Sequence, residues 1–565
     1  MPTLAFDLEF SDLYRRAGLE RVDRAFLEAL HATDSGLAAR LVASRAAPDT
    51  LERKAESELL IELAPHVDDF IGTLFGIAPE IHALAERHHA LAPVFEVKRQ
   101  FVQRKAAKSI DAQAAALLDG AALSDEIAGL VGAAVDDIAA FELAFARHVT
   151  RWQADEVTFA GSLEIALRYA GWALLTETGA HRHAPGVLFK APRKIDPATV
   201  IDHVLDRRDV DGTKTFTIRP EHIRRRQGFK LTDPGTDLTG ALDQANYCIW
   251  CHKQGKDSCS TGLKEKPPKD QPDAVTFKRT VFGVRQAGCP LEEKISEFHS
   301  AKVAGHAVGA LAIIAVDNPL AAATGHRICN DCMKSCIYQK QEPVNIPQAE
   351  TRTLKDVLEL PWGFEIYSLL TRWNPLNLRR PLPMPPSGRR VLIAGLGPAG
   401  FTLAHHLMND GHAVVGIDGL KIEPLPAHIG GGDTRGTRVA FEPIYGVESL
   451  YESLDDRLMA GFGGVAEYGI TVRWDKNFLK LIRLLLQRRE QFALFGGVRF
   501  GGTLEVDDAF ALGFDHVVLA AGAGRPTVLD IPNALAPGVR TASDFLMALQ
   551  LTGAAKNDSI ANMQL

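Results

Sequence analysis

All seven cysteines of this 565-residue chain lie in one stretch: Cys248, Cys251, Cys259, Cys289, Cys329, Cys332 and Cys336. No other feature constrains the fold as much. Thiolates are soft ligands suited to zinc and to iron–sulfur clusters, and groups with short spacings converge only where loops hold them together. Two groups have such spacings, Cys248-x2-Cys251-x7-Cys259 and Cys329-x2-Cys332-x3-Cys336. Cys289 is followed by Pro290, a pairing that often puts the thiol on a different cluster from its sequence neighbours. Two metal centres are therefore expected. An odd cysteine count with no signal-peptide pattern argues against a disulfide framework. Two zinc sites would need eight ligands, and His252 or His326 could supply the eighth; the rest of the chain favours iron–sulfur.

Residues 389–394, Arg-Arg-Val-Leu-Ile-Ala, read as a short buried strand that runs into Gly395-Leu-Gly-Pro-Ala-Gly400 and then an apolar helical pattern from Phe401. In such a unit Gly395 permits the tight turn, Gly397 lets the backbone approach a pyrophosphate, and Gly400 lets helix and strand pack closely. Pro398 and Ala399 open the helix whose N-terminus faces the phosphates. A second strand over 412–418 ends in Asp418, eighteen positions after Gly400, where a ribose hydroxyl would be met. Residues 514–526 form a further strand running into a second glycine-rich loop that contains Gly522 and Gly524.

The order of these features resembles the small (beta) subunit of bacterial glutamate synthase and the N-terminal half of dihydropyrimidine dehydrogenase. Residues 287–291, 317–320, 327–336, 343–346, the 395–400 turn and 517–526 carry the likeness, which spans roughly 245–555. It implies a helical domain with two [4Fe-4S] clusters followed by a split, Rossmann-like FAD-binding domain. By that resemblance Cys248, Cys251, Cys259 and Cys336 hold one cluster. Cys289, Cys329, Cys332 and Glu350 hold the other, with Gln348 as the fallback for Glu350. A carboxylate among thiolates would change the charge of a cluster and so its potential. Gly395, Gly397, Pro398, Ala399, Gly400 and Asp418 would contact FAD, and Gly522 and Gly524 would lie against its flavin.

Two departures from that family qualify the expectation. Residues 260–288 form a polar, Lys- and Pro-rich insertion where the family has few residues, and the long gap between Cys251 and Cys259 leaves His252 as a possible replacement for Cys259. The family also continues beyond the second glycine loop with an NADPH-binding Gly-x-Gly-x-x-Gly domain and then a segment that closes the FAD domain. One such fingerprint is present here. The FAD domain is expected to be incomplete and the chain to resemble the front part of a longer reductase. NAD(P)H would serve as donor only where a downstream domain or redox partner subunit supplies its site.

A net charge of −7 with 24% charged residues and a pI near 6.3 gives no electrostatic footprint for nucleic acid, and residues 224–226, Arg-Arg-Arg, read as a solvated run. The most apolar stretch, 304–316, is shorter than the ~20 residues of a membrane span, so it reads as a buried helix. No membrane span is expected, and a cytoplasmic location fits metal-binding thiols. Helical periodicity dominates the start of the chain, over 13–30, 51–75 and 112–149. His181 and His183 read there as surface polarity, and Trp152 and Trp172 as core.

The expected fold is multidomain: an α-helical domain of unknown role over 1–235, an α-helical double [4Fe-4S] domain over 236–378, and an incomplete α/β Rossmann-like FAD domain over 388–565. A proline-stiffened linker at 377–388 would keep the last two close. Loops at 430–436 and 461–464 would lie near the flavin, by the same resemblance. The expected function is electron transfer from NAD(P)H through FAD and two [4Fe-4S] clusters to an acceptor elsewhere, with no side chain acting as acid or base. The alternative is a non-catalytic iron–sulfur recruitment module.

Overall fold

The computed structural model describes residues 4–196, 205–219, 223, 231, 233–267, 269–271, 274–325, 328–432, 437–469, 474–523, 526–534, 536–554, 556 and 558–561. Helices dominate the first half. In Arg16–Thr33 the buried residues Leu19, Val22, Phe26 and Leu30 recur at three- and four-residue spacing, which gives the helix one apolar face. Asp34 caps the next helix, Ser35–Ala46, by accepting the Leu37 N–H at 2.8 Å. Helix Arg53–Phe75 stops at Gly76, whose φ of 69° is left-handed and costs glycine little.

Two cores organise these helices. The larger joins residues between Leu4 and Leu84 to the helices of the cysteine region and to one face of the later sheet. The smaller lies between Val94 and Phe189 and is built on Phe101, Phe141, Phe145 and Tyr169, with Trp152 and Trp172 buried in it as expected. The histidine pair departs from expectation. His181 is exposed, but His183 is fully buried, with its Nε2 2.8 Å from the Tyr169 hydroxyl. It lies inside because Glu177–Arg182 folds back on Ala160–Leu175.

Strands β1 (Leu205–Val210) and β2 (Thr213–Ile218) pair as an antiparallel hairpin. Asp211 and Gly212 make its two-residue turn with φ of 51° and 75°, the positive values that match the twist of paired strands. The cysteine region follows on helices Leu238–Tyr247, Ile295–Val303, Ala307–Asp317, Ile346–Leu358 and Gly363–Leu370. Ala307–Asp317 is buried along nearly its whole length. Among the described residues no helix is long and apolar enough to cross a membrane.

Four parallel strands complete the fold, β3 (Arg390–Ala394), β4 (Ala413–Asp418), β5 (Phe492–Gly496) and β6 (His516–Leu519), in the order β5-β4-β3-β6. Strand alternation sends Val391 and Ile393 into the large core, and Leu392 and Ala394 into a small one with Ala509 and Phe514. The protein is thus multidomain, with an N-terminal helical domain and a parallel sheet carrying helices.

A buried polar junction ties its parts together. The Tyr14 hydroxyl donates to Glu365 Oε2 at 2.8 Å, and Arg488 Nη1 donates to Glu365 Oε1 at 2.7 Å. Arg372 stacks its guanidinium 4.1 Å over the Tyr14 ring. The 377–388 segment is docked as well, with Met384 N–H on the Asn409 carbonyl at 2.7 Å and Ser387 N–H on the Gly411 carbonyl at 2.9 Å.

Candidate functional site

Four cysteines meet at one place. Cys248 ends helix Leu238–Tyr247, Cys251 follows Trp250, whose φ is 53°, and Cys259 lies in the turn Ser258–Thr261, which Asp257 caps. Cys336 arrives from beyond the short helix Asp331–Lys334. The Cys259 and Cys336 thiols interact closely, which raises the first and lowers the second. Burial pushes Cys248 up to about 12, with Cys251 and Cys336 adding to the rise, and Cys251 up to about 11, with Asp257 and Cys336 adding. Tyr247 and Tyr338, neighbours of this group in sequence, stack with centroids 4.6 Å apart.

The second gathering holds Cys289, Cys329, Cys332 and Glu350. Burial holds Cys332 well above its ordinary value, and Glu293, Glu350, Cys289 and Cys329 each add repulsion. Cys289 is pushed up to about 12 by burial, then by Glu293. Cys329 is exposed. The buried Glu350 carboxylate accepts from Asn318 Nδ2 at 3.1 Å and Thr324 Oγ1 at 3.3 Å, and burial raises its pKa. Gln348 points elsewhere, its Nε2 donating to Asp233 at 3.2 Å, because two residues along a helix is more than half a turn.

The two gatherings share a frame. Cys289 N–H donates to the Cys259 carbonyl at 2.7 Å, and Gly288 N–H donates to Ser335 Oγ at 2.9 Å. Gly288 has φ of 85°, and a Cβ there would sit 2.6 Å from the Ser260 carbonyl, so only glycine allows this approach. His252 is buried with its Nδ1 2.8 Å from Ser296 Oγ, while Cys259 faces Cys336. His326 lies outside the described residues.

Buried thiols crowded by one another and by carboxylates resist ionisation, and what such a set lacks is positive charge. Iron would supply it and prefers thiolate, which makes the cysteines of both gatherings candidate ligands. Among the described residues no three His, Cys, Asp or Glu side chains converge as ligands of a single ion.

Glu293 was not anticipated from the sequence. It is buried, one carboxylate oxygen has no hydrogen-bond partner among the described residues, and burial followed by Glu350 raises it strongly. Sequence offers only an acid four residues after Cys289, indistinguishable there from exposed Glu292.

The glycine turn forms between β3 and helix Pro398–Asn409. Gly395 has φ of 104°, and a Cβ there would meet the Ala520 carbonyl at 2.4 Å; one on Gly400 would meet the Gly395 carbonyl at 1.9 Å. A Cβ on Gly397 would find only Gly464 Cα at 3.7 Å and the Gly463 carbonyl at 3.8 Å. The fold therefore requires glycine at 395 and 400 and tolerates a methyl at 397. The helix has no side-chain cap, and Pro398 and Ala399 are exposed, so its first amides face outward. Asp418 accepts the Leu396 and Leu420 N–H groups, each at 3.0 Å, which fixes the end of β4 against the turn. Gly522, φ 76°, has open space around it beyond β6, while Gly524 lies outside the described residues. Within the 461–464 loop, Gly463 N–H donates to the Leu396 carbonyl at 3.2 Å, so that loop lies on the turn. Residues 430–432 are described, and 433–436 are not. A cavity of about 650 Å³ lies between 423–462 and helix Asn477–Gln487, and no cysteine, no residue of the glycine turn and not Asp418 lines it.

This architecture defines a multidomain protein that pairs a cysteine-rich helical region with a parallel sheet and glycine turn. Residues 4–76 match the RP005 N-terminal alpha-helical domain. "Uncharacterized protein RP005" of Rickettsia prowazekii (strain Madrid E) is 31% identical over 306 residues, covering 53% of this chain and 98% of that protein, so the chain belongs to its family. "Uncharacterized protein RP006" of the same organism is 51% identical over 246 residues, 44% of this chain, and the match spans 33% of that protein's length. "Glutamate synthase [NADH]" of Schizosaccharomyces pombe (strain 972 / ATCC 24843) is similar at 27% over 275 residues, 47% of this chain and 10% of that enzyme.

Proposed function

We propose that the chain is a cytoplasmic electron-transfer oxidoreductase that binds two [4Fe-4S] clusters and FAD. When bound, FAD would take a hydride from NAD(P)H as an electron pair, and the clusters would pass electrons singly to an acceptor site elsewhere. One observation supports the reading: cysteines from distant segments gather, Cys248, Cys251, Cys259 and Cys336 near one another and Cys289, Cys329 and Cys332 near Glu350 and Glu293. The partial similarity to glutamate synthase supports it.

The work of the chain's own residues is holding and tuning. Seven thiols and one carboxylate would hold iron, and the stacked pair Tyr247 and Tyr338 would limit water near the first group. Glu293 and Glu350 put carboxyl groups beside the second group, and Asp257 puts one beside the first. The outward amides after Gly397 would meet the FAD pyrophosphate and Asp418 the ribose. The NAD(P)H site belongs to a redox partner or a further domain.

Anaerobic purification tests the proposal. About eight irons and eight sulfides per chain are expected, from two four-iron clusters, with a brown absorption that dithionite partly bleaches. Stoichiometric zinc without sulfide would sink the reading, and a colourless folded protein would favour a non-catalytic recruitment module.

A further inference from the structure

The insertion between Cys259 and Cys289 is an arm with its own backbone ladder. Glu265 N–H donates to the Thr276 carbonyl at 2.9 Å, Lys278 N–H to Leu263 at 2.8 Å, Leu263 N–H to Gln286 at 3.0 Å and Thr280 N–H to Val284 at 2.9 Å. Arg279 closes the tip by donating to the Gly283 carbonyl at 2.8 Å, and Arg285 stacks 4.4 Å over the Phe277 ring. The root is fixed to the cysteine frame by the Cys289-to-Cys259 and Gly288-to-Ser335 hydrogen bonds, and by Gln286 Nε2 donating to the Lys334 carbonyl at 2.8 Å. The arm is therefore a defined projection standing on both cysteine groups.

Its surface has a pattern. Val281 and Phe282 at the tip are 74% and 75% exposed. Lys278, Arg279 and Arg285 flank them on the tip hairpin, and Lys264, Lys266 and Lys269 lie on the segment that pairs with its base, all exposed. Against these six cations residues 260–288 carry three acids, Glu265, Asp270 and Asp273, so the arm is net +3 in a chain that is −7 overall. Scattered exposed apolar residues need no explanation, but an exposed apolar tip flanked by Lys278, Arg279 and Arg285 on an arm of net positive charge has the anatomy of a docking surface, with a core that buries and a border that steers.

We propose that the 260–288 arm docks a small acidic one-electron carrier protein whose negative surface surrounds an apolar spot. The cations select an acidic partner, Val281 and Phe282 supply the buried centre, and the root places that partner beside both cysteine groups. The electron-carrying identity of the partner rests on the proposed function; docking of an acidic protein does not.

The test uses the full chain, with oxidised plant-type [2Fe-2S] ferredoxin as an acidic carrier and affinity read by calorimetry, so that no electron transfer is required. Binding is expected in 20 mM salt and should weaken at least tenfold in 200 mM salt, where the screening length falls below the span of the arm. Lys278→Glu with Arg285→Glu, and separately Phe282→Asp, should each weaken it at least tenfold without moving the melting temperature. Arg104→Glu with Lys108→Glu, on the distant helical domain, should leave it unchanged. No binding at low salt, unaltered binding by the arm variants, or equal loss in the control would overturn the proposal. Iron and sulfide are assayed in the same preparation: iron-free protein that still docks through the arm fails the cluster reading alone, and iron-loaded protein that does not dock fails the docking alone.

Discussion

Gly397 and Gly400 are three residues apart in one turn, yet a methyl group means different things at each. At Gly400 it would overlap the Gly395 carbonyl at 1.9 Å, so Gly400→Ala should lower stability by about 1–3 kcal/mol, seen as a reduced melting temperature. At Gly397 it meets nothing closer than 3.7 Å. Gly397→Ala should melt as the parent does and lose FAD retention, because the methyl occupies space that the pyrophosphate needs; undiminished FAD titration would remove Gly397 from the binding turn. Among the thiols, Cys332→Ser should lose about half the iron, and Glu350→Ala should shift one potential or weaken one centre. An unchanged EPR spectrum and potential in Glu350→Ala would exclude it as a ligand. The partition into two groups of four with Glu350 is what the resemblance implies; the structure adds that Gln348, the fallback, turns to Asp233 while Glu350 turns to Asn318 and Thr324. Glu293 could not be read, since nothing local separates it from Glu292.

At the scale of elements, what could be read followed from local chemistry. Strand, glycine turn and helix over 390–409 follow from residues that touch one another, so a short window of sequence contains the reason. The hairpin of β1 and β2 is equally local, with Asp211 and Gly212 as its turn, and it departs from the all-helical domain that the periodicity predicts over 1–235. The burial of His183 was not local: it depends on helix Glu177–Arg182 returning onto Ala160–Leu175. The insertion after Cys259 was visible as composition, but its ladder needs residues 263 and 286 to meet, which no periodicity announces. Gly288→Ala, at the root of that ladder, should disturb both cysteine groups because it would press on the Ser260 carbonyl. Lower iron retention, with the parallel sheet still folded, is the expected result; full iron content would show that the root is compliant.

The whole molecule depends on a few buried polar groups. Burial holds His88 and His183 at about 4 and His299 at about 3, against about 6.5 in the unfolded chain. Each is depressed, so the unfolded state takes up protons first as pH falls. Stability should be full above about pH 6.5 and fall toward pH 4 by about 1.4 kcal/mol per pH unit for each histidine; an unfolding midpoint flat between pH 7.5 and 5 would contradict this. The junction at Glu365 is a second point of dependence. Arg488→Met leaves that carboxylate buried beside Tyr14 without its partner, which should cost about 3–5 kcal/mol and expose the 377–388 segment to protease. As for turnover, the chain mixed with FAD and NADPH in a stopped-flow instrument should show negligible flavin reduction, restored by a partner carrying a second nucleotide fingerprint. Rapid, full reduction by this chain alone would place the nucleotide site within it.

The contact between Tyr14 and Arg488 spans 474 positions of the chain. A ribosome adding about 5–20 residues each second needs roughly half a minute to a minute and a half to make that stretch. Through that interval the first helices exist without the residue that completes their polar junction, although Glu365 and Arg372, which also meet Tyr14, are made more than a hundred residues earlier. Completion of the junction is therefore a late event of biosynthesis: a nascent chain stalled before Arg488 should hold Tyr14 against Glu365 and Arg372 but leave the Glu365 carboxylate without the Arg488 guanidinium.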